Sequence, residues 1–322
     1  AETHRAAKEA WLAAREVYGQ TEAFRFYGGP IDDEDGPEGL INAWPLDEVY
    51  IDYVADAPDA GIINNTEEYP ELTKELIVSL NEVGAEENIS AGFHAIEFLL
   101  WGQDFYEDGP GQRSYTDYVA GGDVPNADRR GQYLLLVGEQ LVENLAEVKA
   151  AWDPTMTDSY RTEFLAMAPD AALQNIFTSL GVLSKSELAG ERMFTALDNQ
   201  DQEDEHSCFS DNTHRDIITN NQGIINVYTG SYTRPDGTVV NGTAVADVVA
   251  TVDAELNERL LGLLEQSAAA THAIHVPFDQ AIVLPDARDQ VLETVFALQD
   301  QGDLIAQVAS TLGLTINTAL PE

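Results

Sequence analysis

The chain has 322 residues, and 57 Asp and Glu against 16 Lys and Arg leave a formal net charge of −41. A phosphate polymer binds by releasing counterions to a basic surface, so nucleic acid is excluded as a partner, and an anionic membrane is disfavoured for the same reason. The acid does not signal disorder, because 44% of residues are hydrophobic, with 11 Phe, 12 Tyr and 4 Trp, enough to build a large core.

The polar start, Ala1-Glu2-Thr3-His4-Arg5, is unlike a signal peptide and fits either a cytosolic chain or a mature exported one. Ala7, Ala10, Trp11, Ala14, Val17 and Tyr18 then recur at steps of three and four, which predicts a first helix. Glu22 and Arg25 follow among aromatics at i, i+3, a spacing that predicts a local ion pair closing that helix. After a Gly, Pro and acid-rich loop from Gly28 to Gly39, Leu72, Leu76, Ile77, Leu80 and Val83 mark a shorter helix. The segment Ser90 to Gly102 is apolar nearly all round, so a buried helix is expected there. A second loop, Gly102 to Arg130, leads to a long stripe of Leu134, Val137, Leu141, Leu145, Val148 and Trp152. Trp152-Asp153-Pro154 is the most plausible boundary, dividing the chain into 1–152 and 153–322.

Beyond it, Leu173, Ile176, Phe177, Leu180, Leu183 and Leu188 make another stripe. Asn199 to Asn212 is almost wholly polar, and Thr213 with Asp216 resembles a capping box that starts a helix. Ser231 to Val240, turning at Arg234-Pro235-Asp236-Gly237, is the one persuasive hairpin. Leu256, Leu260, Leu263 and Leu264 predict one further helix, and Leu292, Val295, Phe296, Leu304, Ile305 and Val308 another. No apolar run approaches the roughly 18 residues of a membrane span. The fold class is all-α in two helical-bundle halves, with one small β-hairpin.

Chemistry-bearing side chains concentrate in a few segments. On a helix His94 and Glu97 share a face, close enough to bind one metal or share a proton. A carboxylate taken out of water needs a cation, a proton or a metal, and either a core His–Glu hydrogen bond or a ligand pair supplies it. Between Asp201 and Asp216 fall His206, His214 and six acids, the densest ligand cluster in the chain; in so acidic a protein the simpler expectation is a solvated loop. Cys208 is the single cysteine, which excludes an intrachain disulfide, and it is expected to act as a small buried apolar residue. His272 and His275 flank a helix end before Pro277, where an incidental pairing is the simpler reading. The His-Glu-x-x-His zinc motif, the Gly-x-Ser-x-Gly elbow, the phosphate-binding Gly-rich loop and the Glu-x-x-His di-iron spacing are all missing.

Gly92-x-His94-x-x-Glu97 resembles the Gly-x-His-x-x-Glu motif of the imelysin family, also catalogued as insulin-cleaving membrane proteases, and within it the chain is most similar to the iron-regulated protein A branch. Thr21 to Asp32, Ala43 to Glu48, Gly190 to Met193 and Gln202 to Thr213 carry the resemblance further, over most of the chain. It implies two helical halves with the motif residues near their interface, export to the periplasm or cell surface with any signal segment removed, and a part in bacterial iron acquisition. On this reading the cargo is iron or an iron complex, or another divalent cation such as zinc. Its expected ligands are His94, Glu97, His206 and Asp211, with Glu22, Arg25, Glu191, Arg192, Ser210 and His214 behind them or at the interface. The expected partner is an inner- or outer-membrane iron-uptake component. The alternatives are a metallopeptidase in which His94 and Glu97 serve as zinc ligand and base, with no complete catalytic site evident, and a non-catalytic surface interaction protein. Most of the acid is then a solvating surface, suited to a saline setting.

Overall fold

A computed structural model describes residues 1–321. Its first half contains α1 (Glu2–Thr21), α2 (Glu38–Ile41), α3 (Glu48–Ile51), α4 (Lys74–Leu80), α5 (Gly92–Trp101) and α6 (Ala127–Ala151). After α7 (Tyr160–Ala166) and α8 (Pro169–Val182), a π-helical stretch, Leu183–Phe194, runs into α9 (Thr195–Asn199). Then come α10 (Thr213–Thr229), β1 (Ser231–Thr233), β2 (Val239–Asn241), α11 (Val245–Val252), α12 (Ala254–Ala273), α13 (Phe278–Val283) and α14 (Pro285–Thr311). The expected all-α fold with one hairpin is what forms: β1 and β2 pair antiparallel with Tyr232 opposite Val240.

Local chemistry explains the boundaries. The Thr73 side chain caps α4 by accepting from the Leu76 N–H, and Asp253 caps α12 by accepting from Leu256. Pro169 and Pro285 open α8 and α14, where a missing N–H is harmless. The expected apolar stripes are buried at Val137 and Leu141 of α6, Leu260 and Leu264 of α12, and Val295, Ile305 and Val308 of α14. Phe296 is an exception at 54% exposure, because Val291, Val295 and Leu298 set the buried face of α14 and leave it outside.

The chain forms two compact units, each discontinuous in sequence. Unit 1 is Ala1–Ala13, Asp35–Tyr160 and His206–Asp211; unit 2 is Ala14–Glu34, Arg161–Glu205 and Asn212–Glu322. They differ from a single cut after Trp152 chiefly in two places, since Ala14–Glu34 belongs to unit 2 and His206–Asp211 to unit 1. In unit 1, α5 packs on α6, and α2 packs on both. In unit 2 one core gathers Phe177, Leu180, Ile224, Leu260 and Ile305, and another gathers Leu188, Met193, Phe278, Val291 and Leu298.

Three local expectations are corrected. The stripe through Leu188 is not α-helical at its end: Leu183, Leu188 and Met193 are all fully buried at steps of five, the register of the π-helical stretch. Thr213 is the first residue of α10 rather than its cap, and the cap position, Asn212, makes no side-chain capping bond. Asp216 is instead drawn to Arg15, whose guanidinium meets it at 3.0 Å with both side chains 1% exposed. The polar segment up to Asn212 is not a solvated loop at its end, because Glu205, His206, Ser207 and Ser210 are buried.

Candidate functional site

All ten residues of α5 are buried, and His94 and Glu97 are its polar exceptions. The helix begins at Gly92 with φ 87°, where a Cβ would stand 2.7 Å from the Ile41 carbonyl oxygen at the end of α2. Only glycine combines that dihedral with that approach, which gives the first position of the motif a structural reason. The Trp11 indole N–H donates to the Phe93 carbonyl at 2.9 Å, and the Tyr133 hydroxyl to the Ser90 carbonyl at 2.7 Å, pinning the entry. Gly102, with φ 73°, ends the helix, its N–H reaching the Phe98 carbonyl at 2.7 Å.

As the spacing predicts, His94 and Glu97 meet on one face: His94 Nδ1 donates to Glu97 Oε2 at 2.9 Å. The other carboxylate oxygen, Oε1, accepts the Ser210 N–H at 3.0 Å and the Ser210 hydroxyl at 2.6 Å. Glu97 is 0% exposed, so these donors supply what burial of a carboxylate demands. The segment His206–Asp211 that brings Ser210 is itself held down, by the Gly111 N–H on the Phe209 carbonyl at 2.9 Å and by Phe209 against Phe98, ring centroids 5.2 Å apart. It sets the His206 ring edge-on to His94 at 4.7 Å, and Trp44 packs edge-on to His206 at 5.6 Å. With Nδ1 holding the proton for Glu97, a neutral His94 carries its lone pair on Nε2.

The structure therefore brings His94, Glu97, His206 and Ser210 together. Asp211 ends the same segment, half-buried, with a left-handed φ of 55°. Cys208, expected to be buried, is partly exposed. Among the described residues no group of three or more His, Cys, Asp or Glu side chains is arranged to hold a metal ion. His272 and His275 are both exposed; the first bonds the Ala268 carbonyl and the second the Gln280 side chain, and α12 ends at Ala273, before Pro277 is reached. A cleft of about 650 Å³ in unit 1, lined by Tyr50, Asp59, Asn65 and Tyr69 among others, does not include the motif.

In unit 2, Glu22 and Arg25 form more than a local pair. Glu22 Oε2 accepts from Arg25 at 2.8 Å and from Arg192 at 3.1 Å, while Arg192 also meets Glu187 at 2.7 Å and Asn220 at 2.7 Å. Burial opposes the Arg192 charge, yet Glu22 and Glu187 raise its pKa above the ordinary guanidinium value. Glu191 is exposed on the π-helical stretch, and His214 is half-buried in the first turn of α10. Sequence reasoning gave Trp11 and Trp44 no part at the site, and it missed a further charged knot, in unit 1. There Asp52, 0% exposed, receives Arg130 Nε at 2.6 Å and also Arg113. Burial pushes the Asp52 carboxyl up, but the Arg130 hydrogen bond and the Arg113 charge outweigh it and hold the group below the usual range. Its partners lie 61 and 78 residues away, so no local signal could reveal them.

Comparison with known proteins agrees with the resemblance carried by the motif. The family model described as Imelysin matches residues 1–305. Iron-regulated protein A of Synechococcus elongatus is 27% identical over 240 residues, 72% of this chain and 54% of that protein, so the chain spans about half the length of the curated relative it matches. A crystal structure at 2.30 Å of a Parabacteroides distasonis protein, described as an iron-regulated protein A precursor, aligns with a TM-score of 0.67 at 17% identity, covering 94% of this chain and 82% of that one. That likeness is one of fold.

Proposed function

The chain belongs to the imelysin family, and from that premise we propose that it is a non-catalytic binding protein of bacterial iron acquisition, exported to the periplasm or cell surface. The name of its Synechococcus relative, iron-regulated protein A, supports the link to iron. The observation that carries the choice of binding over hydrolysis is the state of Glu97. It is fully buried, and both its oxygens accept from protein donors, His94 on one side and Ser210 on the other. A general base needs a water within reach of its carboxylate, whereas a carboxylate that orients an imidazole needs this arrangement.

In this reading the adjacent His94 and His206 imidazoles are the donors toward the iron, and Glu97 aligns His94. Asp211 would have to turn in from the end of the same segment, since among the described residues three such side chains are not already gathered there. Two imidazoles with oxygen donors suit iron, and an iron complex would retain oxygen ligands of its own. Titrating ferric citrate and ferrous sulfate into the chelator-stripped chain tests it by calorimetry and metal analysis. One iron per chain is expected, with affinity weakened about 10–100-fold in Glu97→Gln, the usual effect of losing a ligand's orienting partner. Unchanged affinity in both His94→Ala and His206→Ala rejects the site. Chelator-sensitive cleavage of a peptide library that disappears in Glu97→Gln would establish the peptidase reading instead. Cell fractionation checks export, and cross-linking in iron-starved cells checks the expected membrane partner.

A further inference from the structure

Unit 2 contains a groove of about 590 Å³ that the iron reading does not use. We propose that it is a binding site for an uncharged, mainly apolar small molecule. Its size lies within the roughly 300–1,000 Å³ of small-molecule sites.

The groove is built by the end of α1, the middle of α10 and the β1–β2 hairpin. The two helices touch backbone to backbone, since a Cβ on Gly223 would stand 2.4 Å from the Gln20 carbonyl oxygen. The polar groups at this contact satisfy one another: Asn226 Nδ2 donates to Gln20 Oε1 at 2.8 Å, and Gln20 Nε2 donates to the Glu16 carbonyl at 2.8 Å. What remains toward the groove is largely carbon. Gly230, with φ 61°, turns the chain out of α10, so that the paired Tyr232 and Val240 form a wall.

Charge identifies the ligand class. Asp, Glu, Lys and Arg make up 23% of the chain, yet among the described residues none of them lines the groove. An ionic ligand would find no counter-charge there, and an anion would also meet the repulsion of 41 net negative charges. The same repulsion opposes a second copy of this chain as the occupant. Meanwhile Phe24, Val240 and Val17 stay 44%, 41% and 38% exposed around the groove, apolar surface that a chain rich in carboxylates has left uncharged. Tyr232 and Asn241 are among the lining residues, so the few polar groups available to a ligand are uncharged.

The probe is Nile red, a neutral apolar fluorophore, titrated into the full chain. Saturable one-to-one binding is expected, weakened about tenfold or more by both Val240→Glu and Phe24→Glu, and unchanged by Leu135→Glu, which alters an exposed apolar side chain of α6 in unit 1. Affinity should be flat from roughly 0.05 to 0.5 M NaCl, as for an uncharged ligand. Far-UV circular dichroism separates loss of the groove from loss of fold, and both groove variants alter exposed positions. Absence of saturable binding overturns the proposal, as does undiminished affinity in both groove variants or an equal loss in Leu135→Glu.

Discussion

Gly92 shows how much a single residue of the motif owes to packing rather than chemistry. Its φ of 87° and the 2.7 Å approach to the Ile41 carbonyl leave no room for a side chain. Gly92→Ala is therefore expected to destabilise the chain by about 2 kcal/mol or more, read as a lower denaturant midpoint. Gly138→Ala, in the middle of α6 with nothing near its would-be Cβ, should instead stabilise by up to about 1 kcal/mol. Equal effects at the two positions would refute this account of the motif. At the next two polar positions the side chains matter. His94 and Glu97 were readable from sequence because they lie one helical turn apart in an apolar run. Ser210 lies 113 residues from Glu97, and only the resemblance drew attention to it. Ser210→Ala removes one of its two donors to a buried carboxylate and should cost about 1.5–3 kcal/mol.

At the scale of elements, the long α-helices were visible because steps of three and four repeat over several turns, as in α6, α12 and α14. The π-helical stretch was not, since a step of five from Leu183 to Leu188 reads as a lapse in an α-helical stripe. The structure gives that step a purpose. Arg192 and Glu187 are also five apart, and the π-helical register lets them meet at 2.7 Å while Arg192 reaches Glu22. Glu22→Gln would leave buried Arg192 short of a carboxylate, and a loss of about 3–5 kcal/mol is expected in urea unfolding. Glu191→Gln, exposed on the same stretch, should change stability by no more than about 0.5 kcal/mol. The Asp52 knot ties the end of α3 to α6 and gives unit 1 a pH window. Because Asp52 is held below the usual carboxylate range, its contribution is complete above about pH 4 and is lost as pH falls below that. The Tyr53 hydroxyl is pushed up to about 12 by burial and by its hydrogen bond to Asp117. Its contribution is complete below about pH 10 and is lost as pH rises toward 12. Melting temperature against pH should accordingly fall on both sides, with Asp52→Asn flattening the acid limb and Tyr53→Phe the alkaline one.

For the whole molecule the net charge becomes a statement about location. Among the described residues eight carboxylates are buried, Glu22, Asp52, Glu97, Asp104, Asp117, Glu205, Asp216 and Asp279, out of 57 in the chain. The other described carboxylates face water at least in part, and only 16 Lys and Arg offset the acid, so the folded state carries unrelieved repulsion across its surface. Added salt shortens the screening length from about 10 Å at 0.1 M to about 3 Å at 1 M, which weakens that repulsion most where charges are exposed. The buried pairs, such as Arg15 with Asp216 and Arg130 with Asp52, are shielded from solvent and lose little. Exposed attractive pairs such as Lys74 with Glu143 do weaken, but the scarcity of basic residues keeps them few beside the surface carboxylates. Repulsion thus loses more than attraction, and the melting temperature should rise steadily from roughly 0.1 to 1 M NaCl. Choline chloride should reproduce the rise, because screening does not distinguish one monovalent cation from another. A flat or falling curve would mean that the surface carboxylates are not a repulsive burden, and a rise confined to sodium would mean that particular ions are bound. Either result would replace the solvating-surface account of the 41 negative charges.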